Sequence, residues 1–440
     1  MFYLNKDTEL TSELLHKMLL RFQSNVEPRL IKARDYYKGK QAICNKTYSD
    51  PTKPCSRSVT NYCKNIADTY RGYIASAGYI TYRSNDDISE IMDILKANDY
   101  QTQDSDFMLN ALKHGVAAEL CFLDSAANVR FKQIDPLQCF GIYDDSLGGD
   151  LLYFVRFYPV NEWDDTDSWQ VDLYSNSTIK HYSMDGKAGQ LTFTGEEPHY
   201  FKKCPANIFY LPDEAAIYEC IYDLQDSYNE LLSSEIDDYS AFCDAYLALT
   251  AVDAEEEEIT KMKESRVLLL PEGAAANWVT KNANDAQVEN ILNRTHNDIY
   301  RIAQCPDLSA ESFIAGVSSG IAIRYRLTGI ETRAAGIVAS MKEALQRRIE
   351  IICGFVSLTS GEDTALSINI DFARNIPEDL TNTVQVVTSL QGIVSEKTLL
   401  SLLPFVSDVE SELEAVQEQK RYNMAMYSFA PNTTDEEEAE

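Results

Sequence analysis

Apolar residues recur along this chain in two rhythms, one of three to four positions and one of two, and each rhythm keeps to its own stretch. The first 115 residues carry the helical rhythm. It predicts helices from Leu10 to Phe22 and from Val26 to Tyr37, the second closed by Gly39. Further helices are predicted over 61–76, Ile88 to Lys96 and 107–114, the last stopped at Gly115. Residues 116–212 switch to short runs of β-branched and aromatic residues: Glu119–Leu123, Val129–Ile134, Leu151–Tyr158, Gln170–Tyr174, Thr178–Tyr182 and Leu191–Thr194. Asp144-Asp145, Gly148-Gly149 and Asp185-Gly186 mark turns between them. The prediction is an antiparallel meander preceded by helices, in a chain that is α+β and mainly helical.

The helical rhythm then returns in one long stripe: Ile217, Ile221, Leu224, Tyr228, Leu231/Leu232, Ile236, Tyr239, Phe242/Cys243 and Tyr246. A helix from Asp213 to about Thr250 would be roughly 57 Å long at 1.5 Å per residue. From Asp213 to Thr260 there is no Lys or Arg, against fifteen Asp and Glu. A rod that long and that acidic does not suit the core of a compact domain, and points to an assembly. After it, Arg266–Leu270 and Asn277–Thr280 read as two strands about the turn Pro271-Glu272-Gly273. A second amphipathic helix, about Asp285 to Gln304, has Val288, Ile291/Leu292, Ile299 and Ile302 on its stripe. Together these make an antiparallel helix pair with a small β tip. Residues 307–320 are small, polar and Gly-punctuated, and read as a loop. A helix from about Ile321 to Phe355 has reversed charge: Arg324, Arg326, Arg333, Lys342, Arg347 and Arg348 outnumber Glu331, Glu343 and Glu350. Gly329 and Gly336 are candidate kinks. A strand at 367–372, helices over 378–427 broken near Gly392 and Pro404, and an acidic tail at 431–440 complete the chain.

Charge and composition narrow what such an assembly does. The net charge of −30 argues against a generic polyanion binder, which needs clustered Lys and Arg. The 45% apolar content suffices for two to four folded domains. Ten cysteines are scattered singly, without CxxC or zinc spacing, as expected of reduced thiols in a cytosolic protein. The N-terminus does not read as a signal peptide, and no stretch reads as a membrane span. Gly316-Val317-Ser318-Ser319-Gly320 matches the GxSxG nucleophile elbow, which must follow a strand and precede its histidine. No apolar strand comes before it, and the last histidine, His296, lies upstream, so it reads as a loop. No phosphate-binding loop and no HExxH occur. Glu255–Glu258 reads as a solvated charge run rather than a metal site. No catalysis, cofactor or metal is expected. Lys261, Lys263, Arg266 and Lys281 near the tip read as salt-bridging cations before phosphate contacts.

Several segments in this order resemble a known family. They are Tyr36-Tyr37-Lys38-Gly39; Asn61-Tyr62-Cys63-Lys64-Asn65-Ile66-Ala67-Asp68-Thr69-Tyr70; Phe131-Lys132-Gln133-Ile134-Asp135-Pro136; and Ile142-Tyr143-Asp144-Asp145. They continue with Leu224-Gln225-Asp226-Ser227-Tyr228-Asn229, Ser233, Ala245-Tyr246-Leu247, and the run Phe313 to Ile323. In their order and spacing they resemble the portal proteins, or head–tail connectors, of long-tailed bacteriophages. One departure is Lys203-Cys204-Pro205-Ala206-Asn207-Ile208, where the family often has a Gly-containing turn before a Pro.

The resemblance implies a wing over 1–212 and 321–376. It implies stem helices at 213–252 and 284–306, a clip at 253–283, a tunnel loop at 307–320 and a crown over 377–430. It also implies a ring, typically of twelve subunits, at one capsid vertex of the virion, assembled in the host cytoplasm. Double-stranded DNA would pass through it without sequence readout. Partners would be the terminase large subunit, the major capsid and scaffolding proteins, and then a head–tail adaptor, with no membrane. By this mapping Ser309, Ser312, Phe313, Val317, Ser318 and Ser319 face DNA. Lys261, Lys263, Arg266, Trp278 and Lys281 meet adaptor or terminase, and Arg324, Arg333, Arg347 and Arg348 lie between subunits. An acidic channel wall would repel phosphates and let DNA slide. Whether the acidic helix face turns to that channel or to a neighbour's arginines stays open. The competing reading is an oligomeric helical scaffold or adaptor without a channel.

Overall fold

The computed structural model describes residues 1–50, 53–160, 168–242, 246–250, 275–279, 285–308, 325–360, 368–374, 380–403, 406 and 409–428. Near the N-terminus, α1 (Ser12–Arg21) and α2 (Glu27–Tyr37) are not separate rods. A π-helical turn, Phe22–Val26, joins them, and the Glu27 N–H reaches five residues back to the Phe22 carbonyl. Pro28 explains the wide turn: it has no N–H to offer Ser24 four residues back, and its ring crowds the turn before it. Thr11 caps α1 through the Leu14 N–H, and Gly39 (φ +78°) ends α2. Next come α3 (Tyr62–Ile74), capped by Asn61, then α4 (Ser89–Ala97) and α5 (Tyr100–His114). The start of α5 lies seven residues before the predicted one. Its first turns are polar in sequence, yet Asp104 and Ser105 there are buried.

The strands are β1 (Phe2–Leu4), β2 (Ile80–Arg83), β3 (Val116–Leu123), β4 (Val129–Ile134), β5 (Cys139–Asp144), β6 (Leu151–Pro159), β7 (Ser168–Tyr174), β8 (Thr178–Asp185), β9 (Leu191–Pro198) and β10 (Ala206–Tyr210). The meander is present from β5 to β9, but it is one part of a larger arrangement. A six-stranded sheet runs β1-β5-β6-β7-β8-β9, with β1 parallel to β5, and a separate sheet runs β10-β3-β4. Residues 203–208, where the family pattern breaks, lead directly into β10, which pairs with β3. One face of the large sheet packs Ile142, Val155, Phe157, Val171 and Leu173 against Leu15, Leu19, Phe22 and Leu30 of the N-terminal helices. The other face packs Phe154 and Tyr174 against Ala118, Leu120, Ala206 and Ile208 of the small sheet.

The long acidic helix is shorter than predicted. α6 spans Tyr222–Phe242, 21 residues, or about 31 Å. Residues 213–221 are instead held by α5: the Ile217 N–H bonds the Leu112 carbonyl, and the Tyr218 hydroxyl donates to the carbonyls of Ala33 and Lys113. Gly115 permits this approach. Its φ is +78°, and a Cβ there would lie 2.6 Å from the Glu214 carbonyl. Beyond α6, Tyr246–Thr250 is not helix but strand β11, antiparallel to β12 (Ala275–Val279). A five-residue apolar run fits either period, and sequence alone does not arbitrate it. The predicted partner for 277–280 was 266–270, which lies outside the described residues; the partner present is β11.

α7 (Asp285–Ile302) follows, then α8 (Thr328–Ser360) and β13 (Asn369–Phe372), which pairs with β2. Residues 1–307 and 329–375 form one compact unit, so the predicted wing strands and both helices of the pair share a body. The second unit comprises 308–328 and 376–440. In it lie α9 (Leu380–Leu390), α10 (Glu396–Ser401) and α11 (Val409–Ser428). Ser395 caps α10, Gly392 takes φ +85° in the turn before it, and Lys420 of α11 pairs with Glu396.

Candidate functional site

The helix pair is antiparallel. Tyr228, early in α6, and His296 and Tyr300, late in α7, all meet the ring of Tyr62, with centroids 5.2, 5.5 and 5.8 Å away. The chain thus leaves along α6, turns through β11 and β12, and returns along α7. The foot of α7 is tied down by the first compact unit. The Tyr70 hydroxyl donates to the Ala303 and Gln304 carbonyls, and Arg333 donates to Ala303 at 3.2 Å. A cation at a helix C-terminus also complements the dipole.

The line of α6 most deeply buried is polar: Gln225, Asn229, Ser233 and Asp237. These residues are four apart and climb one face by about 6 Å per step. Against them lie the segment 56–61 and Tyr62, the first residue of α3, running the opposite way, an extended chain rising about 6.7 Å per two residues. The two repeats nearly match, and every rung is a backbone contact. The Tyr62 N–H donates to Gln225 (3.1 Å), and the Gln225 amide donates to the Thr60 carbonyl (2.6 Å). The Thr60 N–H donates to Asn229 (3.0 Å), and the Ser58 N–H to the Ser233 hydroxyl (3.0 Å). The Ser56 N–H, the Lys46 ammonium (2.8 Å) and the Tyr48 hydroxyl (3.3 Å) all donate to the Asp237 carboxylate. Burial works to raise the Asp237 carboxyl, but the bonds from Lys46 and Ser56 hold it below the ordinary Asp value. Beside the first rung, burial and the Asp226 carboxylate push the phenol of Tyr36, on α2, well up.

The apolar stripe expected to be the packing face therefore is not the buried one. Leu224, Tyr228, Leu231 and Leu232 are half-buried, while Ile236 is 38% and Tyr239 75% exposed. On α7, Ile291 and Ile302 are exposed as well. A strip of apolar side chains thus faces outward on the pair, beside exposed carboxylates of Asp223 and Glu230.

Four arginines were expected between subunits. Arg348 is fully buried inside its own chain, and that expectation is corrected. Its guanidinium forks onto Glu119 of β3 through two bonds of 2.7 Å and also bonds Asp104 of α5. The Tyr82 hydroxyl donates to Asp104 and the Asn207 amide to Glu119, both at 2.7 Å. Phe131 lies under the guanidinium, 4.4 Å from its ring centre. One cation faces two carboxylates, and burial pushes the Asp104 carboxyl up despite Arg348. Arg347 donates to the Ile208 carbonyl (2.8 Å) and lines a cleft of about 420 Å³ with Lys203 and Glu350. Arg333 is the foot residue of α7 already described. Arg324 lies outside the described residues, as do Ser309, Ser312, Phe313, Val317, Ser318, Ser319, Lys261, Lys263, Arg266 and Lys281. Trp278 sits in β12 opposite Leu247. The ladder side chains were not singled out as a site. Their signal was present in sequence, as four uncharged or acidic residues at strict four-residue spacing.

Among the described residues no helix is long and apolar enough to cross a membrane, and no three His, Cys, Asp or Glu are grouped to hold a metal. A family model described as phage portal protein, SPP1 Gp6-like, matches residues 23–425. The portal protein of Bacillus phage SPP1 is 22% identical over 411 residues, covering 88% of this chain and 80% of that protein.

Proposed function

The chain belongs to the phage portal protein family, and from that premise we propose that its copies form a ring, twelve in the virion, around a DNA channel at one capsid vertex. Double-stranded DNA enters through the ring during packaging and leaves through it on ejection. The terminase large subunit docks first and a head–tail adaptor later, while the capsid and scaffolding proteins hold the outer body. The role is structural, and no bond is made or broken by the chain. The observation that carries this reading is a family match along nearly the whole length, in a chain whose helix pair is built out and back with a β tip. On this reading α6 and α7 are the stem and β11–β12 belong to its tip, with Lys261, Lys263, Arg266, Trp278 and Lys281 toward adaptor or terminase. The loop with Ser309, Ser312, Phe313, Val317, Ser318 and Ser319 faces DNA, and residues 377–430 are the crown. Arg324 remains a candidate for the neighbouring subunit. Arg333 and Arg347, already engaged within the chain, could do so only with their remaining donors.

The acidity fits this role. Many copies at −30 each make a channel wall that repels phosphate, so DNA slides and does not adhere. The exposed apolar strip of α6 and α7 suits contacts between copies. Negative-stain images of the purified protein test the reading: rings with a central hole are expected, and a small oligomer without one would favour a scaffold. Deleting 309–318 should impair DNA packaging or retention; unaltered packaging and retention would remove the loop from the channel.

A further inference from the structure

The net charge hides a segregation. Residues 1–75 hold thirteen Lys and Arg against seven Asp and Glu, a net of +6. The other 365 residues hold twenty-six against sixty-two, a net of −36. The positive residues of this segment are mostly on its surface. Lys17, Arg21, Arg29, Lys32, Lys38 and Lys40, on or just past α1 and α2, are all exposed. Elsewhere the cations are largely used inside the chain: Lys187 with Glu27, Lys203 with Glu350, Arg130 with Asp124, Arg374 with Glu331. Among the described residues, none of the six has a carboxylate within ion-pair distance. Arg29 bonds only the Glu214 carbonyl, and Lys32 stands over the Tyr222 ring at 4.7 Å. The carboxylates on α1 and α2 are Glu13, exposed, Glu27, paired with Lys187, and Asp35, beside Arg34, while the Glu214 carboxylate near Arg29 pairs with the N-terminal ammonium.

We propose that these exposed cations on and just past α1 and α2 form one side of the contact between successive copies of the chain, and that its occupant is an acidic surface of the next copy. The proposal rests on the ring reading above. A ring closed by one repeated contact joins two different patches of the same molecule. Bodies of −30 repel each other, and at physiological ionic strength only charges within about 8 Å act strongly. The local sign at the seam therefore decides whether neighbours attract, and this segment is where the chain is positive. Duplex DNA, the other polyanion at hand, would meet the remaining −36 of every copy, so the second copy is the better-matched occupant. The face also steers neighbours together, and this gain falls with salt.

The test uses the full chain with Lys17, Arg21, Lys38 and Lys40 all changed to Glu, and a second variant with all four changed to Gln. These side chains are exposed, and circular dichroism checks that each variant is folded. Ring assembly is followed by native mass measurement at about 50 and 500 mM salt. The Glu variant should need about tenfold more protein to form half its rings at low salt, and the Gln variant less of an increase. The gap between Glu variant and wild type should close at high salt. Rings forming at unchanged concentration in the folded Glu variant would overturn the proposal. So would unchanged rings with lost binding to linear duplex DNA, which would make this a nucleic-acid face. If the wild type forms no rings at any salt, the ring reading itself fails, which is a distinct result.

Discussion

Two long helices are anchored to the same body by opposite means. α8 is held by a buried charge network: Arg348, Asp104 and Glu119, with Tyr82 and Asn207 supplying further donors from β2 and β10. α6 is held by a ladder of mainly neutral hydrogen bonds to the backbone of residues 56–62. The first gathers five elements at one dry point, and losing any partner strands a charge there. The second spreads four rungs over a little more than three turns, each rung meeting a different backbone group. A helix fixed at a point in this way keeps its register or comes loose from the fold. A helix fixed by rungs can release turn by turn. On the ring reading, the difference would separate the part of the fold that stays fixed from the part that adjusts against neighbours.

The largest effect should come from the point anchor. Arg348→Met leaves two carboxylates buried without a cation and should cost about 3–5 kcal/mol, read as a lowered denaturation midpoint. Arg348→Glu should not yield soluble folded protein. The triple change of Arg348→Met, Asp104→Leu and Glu119→Leu removes the charges together and should recover most of the loss. If the single Met variant cost under about 1 kcal/mol, the anchor would be ordinary packing. Any loss of rings in Arg348 variants then reports a damaged subunit and not a broken seam.

This is also where sequence reading ran out. The helix 321–355 was legible from its period, and its arginines from their excess. That Arg348 points inward depends on Asp104 and Glu119, more than two hundred residues away and unmarked in sequence. The N-terminal helices were legible, but their fusion through a π turn depends on how Pro28 is accommodated. In the β region the alternating strands were read and β5 and β10 were missed, because Cys139–Asp144 and Ala206–Tyr210 are buried almost throughout and do not alternate. The α6 reading failed most usefully. The apolar stripe was real, but amphipathic period alone does not say which face packs. Gln225, Asn229, Ser233 and Asp237 are buried because an extended backbone needs partners, and polar side chains at helical spacing supply them.

The ladder should break more gently. Asn229→Ala leaves the Thr60 N–H and the Gln41 amide oxygen unpartnered in a buried place, at a cost of about 1–3 kcal/mol. Ser233→Ala removes one rung and should cost about 1 kcal/mol. The discriminating measurement is hydrogen exchange over residues 56–62. Each variant should speed exchange at its own rung and little elsewhere, while Arg348→Met should loosen α5, α8 and β3 together. Uniform loosening in the ladder variants would make both anchors alike.

Acid separates the two anchors by sign. Asp237 is held below its ordinary value, so its contribution is complete above about pH 4 and is lost as pH falls through its folded value. Asp104 is pushed up, so the folded state takes its proton more readily than the unfolded one, and acid favours that seam. Between pH 6 and about pH 3, protection of Ser56 relative to its intrinsic exchange should fall, while α5 keeps its protection. Asp237→Asn should remove the pH dependence at Ser56. A parallel loss at both seams would contradict the assigned signs.

The smallest effect on the subunit should come from the outward strip of the laddered helix. Tyr239 is 75% exposed and Ile236 38%, so Tyr239→Ser with Ile236→Ser should change subunit stability by no more than about 0.5 kcal/mol. The same pair should weaken assembly, because apolar area left in water on one copy is what a neighbour would bury. The polar rungs already bind α6 to its own body, which leaves the apolar stripe available for that contact. Sedimentation of the double variant beside wild type decides the matter. Unchanged subunit stability with smaller assemblies supports the division of labour between the two faces of α6. Equal assembly in both proteins would show that the stripe serves only α7, and that the ladder face is the one that sets how the helix meets its surroundings.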